Sequence, residues 1–219
     1  MTDSWTPEKG IIEFFDKVYS QYEHYWQRPP NHYSKPWVML LEALSNRQPG
    51  LALDLGSGEG IDAIRLARLG YQVDAVEGSA VGAEKTERFA REAGVRVNVM
   101  HMDAQDFQPS RQYDLIICNG LLHYVENKAL ILQRMQQATK PGGYNMVFLF
   151  SNYNPVPECH RIINVYCDKE DGITSSFYRD WQHTLFLEHN KQDHAHTDFP
   201  PHQHSMIKIV AKKSDGLHL

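Results

Sequence analysis

Short apolar runs recur at nearly even spacing through the middle of the chain, separated by more polar segments. Most of them are continuous rather than alternating: Leu51 to Leu55, Val73 to Val76, Val95 to Met100, Leu115 to Cys118 and Met146 to Phe150. Continuous apolar runs of this length are typical of strands that are covered on both faces of a sheet. The pattern therefore predicts five buried strands in this part of the chain.

The segments between these runs show the spacing of amphipathic helices. Two apolar stripes are clear: Ile61, Ile64 and Ala67 after the first run, and Ile131, Met135 and Ala138 before the fifth. The second of these helices is predicted to end at Pro141-Gly142-Gly143, since glycine and proline terminate helices. Strands that alternate with helices are joined by right-handed crossovers, so the pattern predicts an α/β fold with a Rossmann-like, doubly wound, mostly parallel sheet of seven strands.

Two flanking regions, residues 1–48 and 152–213, fall outside this alternation. The first combines an amphipathic stretch and an aromatic segment with a predicted helix from about Pro36 to Asn46, so we expect a helical lid. The second contains a helix predicted near Thr174–Trp181. It also contains two candidate strands, which we expect to add an antiparallel pair to the sheet: Leu185–His189 and Met206–Ala211.

The composition of the chain restricts the number of domains, the cellular compartment and the classes of partner that we expect. With 219 residues, 42% hydrophobic and 22% charged, the chain is predicted to form one domain, residues 1–219, whose core is residues 49–151. The net charge of -5 argues against a nucleic-acid partner, which would require a concentrated basic face. No apolar run approaches the roughly 18 residues of a membrane span, and the N-terminus is polar, so we expect no membrane partner. The three cysteines include no CxxC pair, which favours a cytoplasmic protein, expected as a monomer or homodimer.

A glycine loop follows the first predicted strand, and it has the spacing GxGxG at Gly56, Gly58 and Gly60. This spacing differs from the GxGxxG that places a pyrophosphate on a helix N-terminus. Asp54 precedes the loop, where its carboxylate would repel a pyrophosphate. The same carboxylate would favour a ligand that carries an ammonium and a sulfonium group.

Polar side chains also follow the next three predicted strands. Glu77 is placed to accept hydrogen bonds from two ribose hydroxyls, and Asp103 to accept one from an adenine amino group. Asn119 ends the fourth strand. Open α/β sheets bind ligands at the carboxyl ends of their strands, so we expect these side chains to share one site. Individually, they are also consistent with ordinary turn and capping residues.

Together, these segments resemble the successive motifs of class I S-adenosylmethionine-dependent methyltransferases: LALDLGSGEGIDAIRLARLGYQVDAVEGS, HMDAQDF, YDLIICNGLLHYV and PGGYNMVFLF. Within that superfamily, the chain is most similar to small-molecule enzymes of the tellurite-resistance type. The resemblance implies an S-adenosylmethionine cofactor, a small-molecule acceptor, and a substrate-side role for residues 152–213. The cofactor-binding residues that it implies are Asp54, Gly56, Ser57, Gly58, Glu77, Gly78, Ser79, Asp103, Ala104 and Asn119.

Methyl transfer from a sulfonium requires mainly positioning and a water-poor pocket, because the leaving group is already activated. A thiolate or chalcogen acceptor requires no base, whereas a hydroxyl or amine benefits from one. His123 and Tyr124 are the candidate bases, although His123 also fits a buried histidine that packs under a loop. Tyr25 and Trp26 are candidates for closing over the cofactor through their π faces, or for only holding the first helix on the sheet.

Eight of the twelve histidines follow residue 159, and two pairs stand out: His194 with His196, and His202 with His204. If both pairs lie on strands of a hairpin, each pair shares a face and the four rings can converge. They then become candidate ligands of a divalent transition metal. His194 and His196 are also candidate catalytic residues on the acceptor side, by binding substrate or moving protons. A solvated histidine-rich loop is the alternative.

Two other functional classes remain open. An NAD-dependent oxidoreductase fits the acidic residue Glu77, although the GxGxxG spacing is missing. A non-catalytic metal- or ligand-binding module would use the C-terminal histidines alone. The two classes differ from a methyltransferase in their ligand: NAD for the first, and a metal without methyl transfer for the second.

Overall fold

The sheet at the centre of the molecule has seven strands, with helices on both faces. The computed structural model describes residues 10–26, 33–158, 160, 163–193 and 200–216. The strands are β1 (Leu51–Leu55), β2 (Gln72–Glu77), β3 (Val97–His101), β4 (Tyr113–Asn119), β5 (Thr139–Phe150), β6 (Gln182–Asp193) and β7 (His202–Lys212). The helices are α1 (Gly10–Gln21), α2 (Lys35–Leu44), α3 (Ile61–Arg68), α4 (Ala80–Glu92), α5 (Lys128–Ala138) and α6 (Ile173–Phe177).

The strand order is β3-β2-β1-β4-β5-β7-β6. Strands β1 to β5 are parallel, while β7 is antiparallel to both of its neighbours, β5 and β6. The predicted fold is therefore confirmed: a mostly parallel, doubly wound sheet with an antiparallel C-terminal pair. The chain order reverses direction between β1 and β4, and such a switch point is where open α/β sheets bind ligands.

Two apolar layers cover the sheet. One contains the buried face of α5, with Ile131 and Leu132, and the other contains α2 and α3, with Trp37 and Leu66. Burial on both faces explains why the strands are continuous apolar runs in the sequence. None of the described helices is long and apolar enough to span a bilayer.

Helix α1 takes a different position, across the carboxyl ends of the strands. Its Asp16 side chain accepts a hydrogen bond of 2.6 Å from Ser79 Oγ at the start of α4, and one of 3.2 Å from Val81 N. Further along the same helix, the Phe15 ring packs edge-on against Tyr124, at a centroid distance of 5.4 Å. These contacts place α1 over the switch point between β1 and β4.

Three local predictions differ from the structure. Helix α5 ends at Ala138, and Pro141-Gly142-Gly143 belongs to the irregular start of β5, where Gly142 N donates to Lys213 O. Helix α6 ends at Phe177 instead of near Trp181. The described link between β3 and β4 contains no helix, so the strand–helix alternation is interrupted there. In the first case the helix does end just before the Pro-Gly-Gly segment, which then pairs with the chain after β7, and such pairing is not visible in local sequence.

Candidate active site

The carboxyl ends of β1, β2, β3 and β4 open into one cavity of about 220 Å³, which α1 covers. Ten of the twelve predicted cofactor-binding residues line this cavity: Trp26, Asp54, Gly56, Ser57, Gly58, Glu77, Gly78, Asp103, Ala104 and Asn119. The other two, Tyr25 and Ser79, lie next to it without lining it. Strand ends separated by up to 65 positions thus meet in one site.

Glu77 connects β2 to the glycine loop. Its Oε2 atom accepts a hydrogen bond of 2.6 Å from Gly58 N, and its Oε1 atom accepts one of 2.9 Å from Ser79 N. Each carboxylate oxygen keeps a second lone pair for a ligand hydroxyl. Burial raises the pKa of Glu77, partly opposed by the two backbone donors. Ser79 has a structural part: its Oγ atom accepts from Gly82 N and caps α4.

The glycine loop requires glycine at Gly58 for two reasons. The residue has a φ of +57°, which side chains rarely adopt, and an added Cβ would lie 2.9 Å from the hydroxyl of Tyr19. The tyrosine belongs to α1, so the helix reaches the loop closely enough to contact its backbone. A larger residue would require the Tyr19 side chain or the loop to move.

Four buried polar atoms on cavity-lining residues have no hydrogen-bond partner within the described part of the chain: Asp54 Oδ2, Ser57 Oγ, Asn119 Oδ1 and His123 Nδ1. Leaving such atoms unpaired costs about 1–3 kcal/mol each, so their concentration in one cavity indicates a polar ligand. Burial and the neighbouring carboxylate of Asp62 raise the pKa of Asp54 well above its ordinary value. A cationic ligand would relieve this repulsion, which fits the ammonium and sulfonium of S-adenosylmethionine.

Glu59, inside the glycine loop, holds the aromatic N-terminal segment. Its carboxylate accepts hydrogen bonds from the backbone N–H groups of Tyr25 and Trp26, at 3.0 and 2.9 Å, and an ion pair at 2.9 Å joins it to buried Lys85. The indole N–H of Trp26 donates to Tyr19 Oη at 3.1 Å, which holds the indole at the cavity. Glu59 is not among the residues predicted from the sequence, although its place between two glycines of a predicted buried loop was a signal for it.

His123, just after β4, lines the cavity and is buried. Its ring stacks on Phe150 at a centroid distance of 3.8 Å, and Phe150 also stacks on His204 at 4.2 Å. Burial lowers the pKa of His123 well below its ordinary value, so the imidazole is neutral at neutral pH. The neighbouring Tyr124 hydroxyl has a pKa raised by burial and stays protonated.

The hairpin of β6 and β7 also contributes to the cavity wall, where Lys191 and Asp193 line the cavity. Lys191 Nζ lies 2.8 Å from Asp193 Oδ1, and His204 Nε2 lies 3.1 Å from Asp193 Oδ2. Neither Lys191 nor Asp193 was predicted, because their approach depends on a register shift in β6 between Glu188 and Lys191.

The predicted histidine cluster has a different membership in the structure. His202 and His204 lie buried on β7, and His160 joins them from the segment after β5. His194 and His196, the other predicted pair, lie outside the described residues. The period-2 spacing correctly places His202 and His204 together, whereas His160 comes from a distant part of the sequence.

Comparison with known proteins gives the family context. The family model described as "Tellurite resistance protein TehB" matches residues 18–208. A ubiquinone biosynthesis O-methyltransferase from Rickettsia canadensis (strain McKiel) is 30% identical over 95 residues, which are 43% of this chain and 40% of that protein. The chain thus spans about two fifths of the length of this curated relative.

Two solved structures share the fold. TehB from Haemophilus influenzae superposes with a TM-score of 0.68 and 17% identity, over 91% of this chain and 66% of that one. Magnesium protoporphyrin IX methyltransferase from Synechocystis PCC 6803, solved with bound S-adenosylhomocysteine, gives a TM-score of 0.64 and 15% identity, over 93% of this chain and 98% of that one. At these identities the likeness concerns the fold.

Proposed function

Because the chain belongs to the tellurite resistance protein TehB family, we propose that it transfers the methyl group of S-adenosylmethionine to a small-molecule acceptor. The predicted family is confirmed by this membership. It also disfavours the NAD-dependent and the non-catalytic alternatives. The observation that carries the proposed activity is the concentration of buried polar atoms without hydrogen-bond partners in a cavity at the ends of four parallel strands.

Each strand end has a proposed role toward the cofactor. Glu77 would hold the ribose hydroxyls with its remaining lone pairs, and Asp103 would accept from the adenine amino group. Asp54 would balance the positive charge of the cofactor's ammonium group. Trp26, held over the cavity by Glu59 and Tyr19, would exclude water and place a π face against the cation. When bound, the cofactor supplies a methyl group on a sulfonium, with a neutral thioether as the leaving group.

The acceptor side favours a thiol or a related soft chalcogen nucleophile. Its described wall combines Phe148, Phe150 and Met206 with the imidazole ring of His123, which is the candidate base and has a lowered pKa. Such an imidazole is a weak base that would ionise a hydroxyl poorly. A thiol, whose ordinary pKa is about 8.5, needs little assistance. His123 would accept the thiol proton at its unpartnered Nδ1 atom as the sulfur attacks.

Calorimetry with S-adenosylhomocysteine tests the cofactor, with NAD as the comparison ligand. We expect one S-adenosylhomocysteine per chain and no heat with NAD. Absence of binding would overturn the proposed function. A second experiment follows radiolabelled methyl transfer to matched acceptors: a small thiol, tellurite or selenite, a catechol and an amine. Transfer to the catechol or amine in preference to the thiol and the oxyanions would contradict the proposed acceptor class.

A further inference from the structure

We infer that His160, His202 and His204 form a binding site for a divalent transition-metal ion of the zinc class, beside the acceptor wall. The proposed methyl transfer is not needed for this inference, but any effect of the ion on the acceptor rests on it. The three side chains are buried, with exposed fractions of 4%, 9% and 3%.

The spacing of the three rings matches the size of a metal-coordination sphere. His160 Nε2 and His202 Nε2 are 3.2 Å apart, and His202 Nε2 and His204 Nε2 are 2.8 Å apart. Potential ligand atoms of all three residues lie within 4.8 Å of one another. Tetrahedral zinc with zinc–nitrogen bonds of about 2.0–2.1 Å places its ligand nitrogens roughly 3.3 Å apart. Little movement would therefore be required to accept an ion.

Hydrogen bonding sets the tautomer of the central ring. His202 Nδ1 lies 2.6 Å from the carbonyl oxygen of Pro200, which can only accept a hydrogen bond. In the neutral ring, Nδ1 must then carry the proton, so Nε2 directs its lone pair at His160 and His204. A carbonyl that fixes the remote nitrogen is the usual support of a metal-binding histidine. The same arrangement explains how three ring nitrogens can face one point.

The surroundings supply a negative charge and a connection to the acceptor cavity. Asp193 Oδ2 lies 3.1 Å from His204 Nε2, and Asp193 also lines the cavity. The ring of His204 stacks on Phe150, which is another part of the cavity wall. An ion here would join the segment at His160 to the β6–β7 hairpin. It would thereby fix the shape of the acceptor wall.

The test uses full-length protein that has been treated with a chelator and dialysed. Titration with Co²⁺ should produce the visible absorption bands of a tetrahedral nitrogen-rich site, and Zn²⁺ should abolish them. Calorimetry with Zn²⁺ should give one ion per chain with a dissociation constant below about 1 μM. Absence of both signals would overturn the site.

Single variants His160→Gln, His202→Gln and His204→Gln identify the ligands. We expect each to weaken Zn²⁺ binding at least about 100-fold, since even the loss of an outer-shell partner costs about 10–100-fold. His183→Gln, an exposed histidine on β6, is the matched control and should bind Zn²⁺ normally. The double variant His194→Gln/His196→Gln should also bind Zn²⁺; loss of binding there would overturn this assignment of ligands.

Two measurements separate a lost ligand from a lost fold. The metal-free variants should melt within a few degrees of the metal-free parent protein, and they should bind S-adenosylhomocysteine with unchanged affinity. His160→Gln is the decisive variant because its segment lies outside the sheet. If the parent protein binds S-adenosylhomocysteine but does not bind Zn²⁺, the metal site is rejected and the proposed function is left standing.

Discussion

The carboxylate of Glu77 accepts a hydrogen bond of 2.6 Å from the backbone N–H of Gly58. This bond joins the end of β2 to the glycine loop after β1, two segments that would otherwise only be neighbours. The shape of the loop and the position of the carboxylate are therefore determined together. A ligand that contacts the glycine loop therefore also depends on the position of the Glu77 carboxylate.

Glu77→Gln should weaken S-adenosylhomocysteine binding at least about tenfold, which is about 1.4 kcal/mol. The amide has the same size but loses the charge, and its NH₂ group cannot accept from Gly58 N or Ser79 N. We expect the free energy of unfolding to fall by about 1–3 kcal/mol. Calorimetry and denaturant unfolding measure the two effects. Glu87→Gln, exposed on α4, is the control, and equal affinities for the two variants would contradict the proposed role of Glu77.

Binding of S-adenosylmethionine should strengthen as the pH rises through the pKa of Asp54. Burial and Asp62 raise this pKa in the folded protein, so ionisation costs stability above the ordinary aspartate value of about 3.9. A cationic ligand favours the ionised form, and its binding therefore releases a proton. Calorimetry between about pH 5 and 8, in buffers of different ionisation enthalpy, should detect that proton.

Asp54→Asn should remove this pH dependence and lower the affinity at neutral pH. The same variant should make the free energy of unfolding less dependent on pH, because the protein no longer loses stability as Asp54 ionises. Asp106→Asn, exposed after β3, is the control. If Asp54→Asn kept the parental pH dependence of binding, another group would be responsible for that pH dependence.

Glu59→Gln should lower the free energy of unfolding by about 3 kcal/mol, because it leaves the buried ammonium of Lys85 without its ion pair. It should also weaken S-adenosylhomocysteine binding, since a neutral amide with one acceptor oxygen replaces the carboxylate anchor that accepts from the backbone N–H groups of Tyr25 and Trp26. The double variant Glu59→Gln/Lys85→Met distinguishes the two effects. It should recover stability without recovering affinity, and recovery of both would show that the anchor has no part in binding.

His123→Phe keeps an aromatic ring beside Phe150 but removes the Nδ1 atom, which is buried and has no hydrogen-bond partner among the described residues. If that nitrogen accepts the acceptor's proton, kcat with a thiol should fall at neutral pH by no more than about 30-fold, the inverse of the thiolate fraction at pH 7, with little change in KM for S-adenosylmethionine. The deficit should shrink as the pH rises toward the thiol pKa of about 8.5, because the acceptor then ionises without help. An unchanged kcat would limit His123 to packing.

Local patterns determined the strands, the glycine loop and the acidic residues that follow the strands. Local patterns are sufficient here because a buried strand must be apolar, and because the carboxyl ends of parallel strands meet at one edge of the sheet whatever the details of packing. Glu77 and Asp103 could therefore be assigned to one site from their positions in the sequence. The family resemblance adds the cofactor to that assignment.

Only the tertiary structure decided which distant side chains meet. Glu59 holds Tyr25 and Trp26 across more than 30 positions, and His160 reaches His202 across 42. Such contacts depend on crossover paths and on the β6 register, neither of which leaves a periodic signal in the chain. The sequence by itself thus determined the edge of the sheet where the cavity lies, while long-range packing decided how that edge is closed and which distant residues line the cavity.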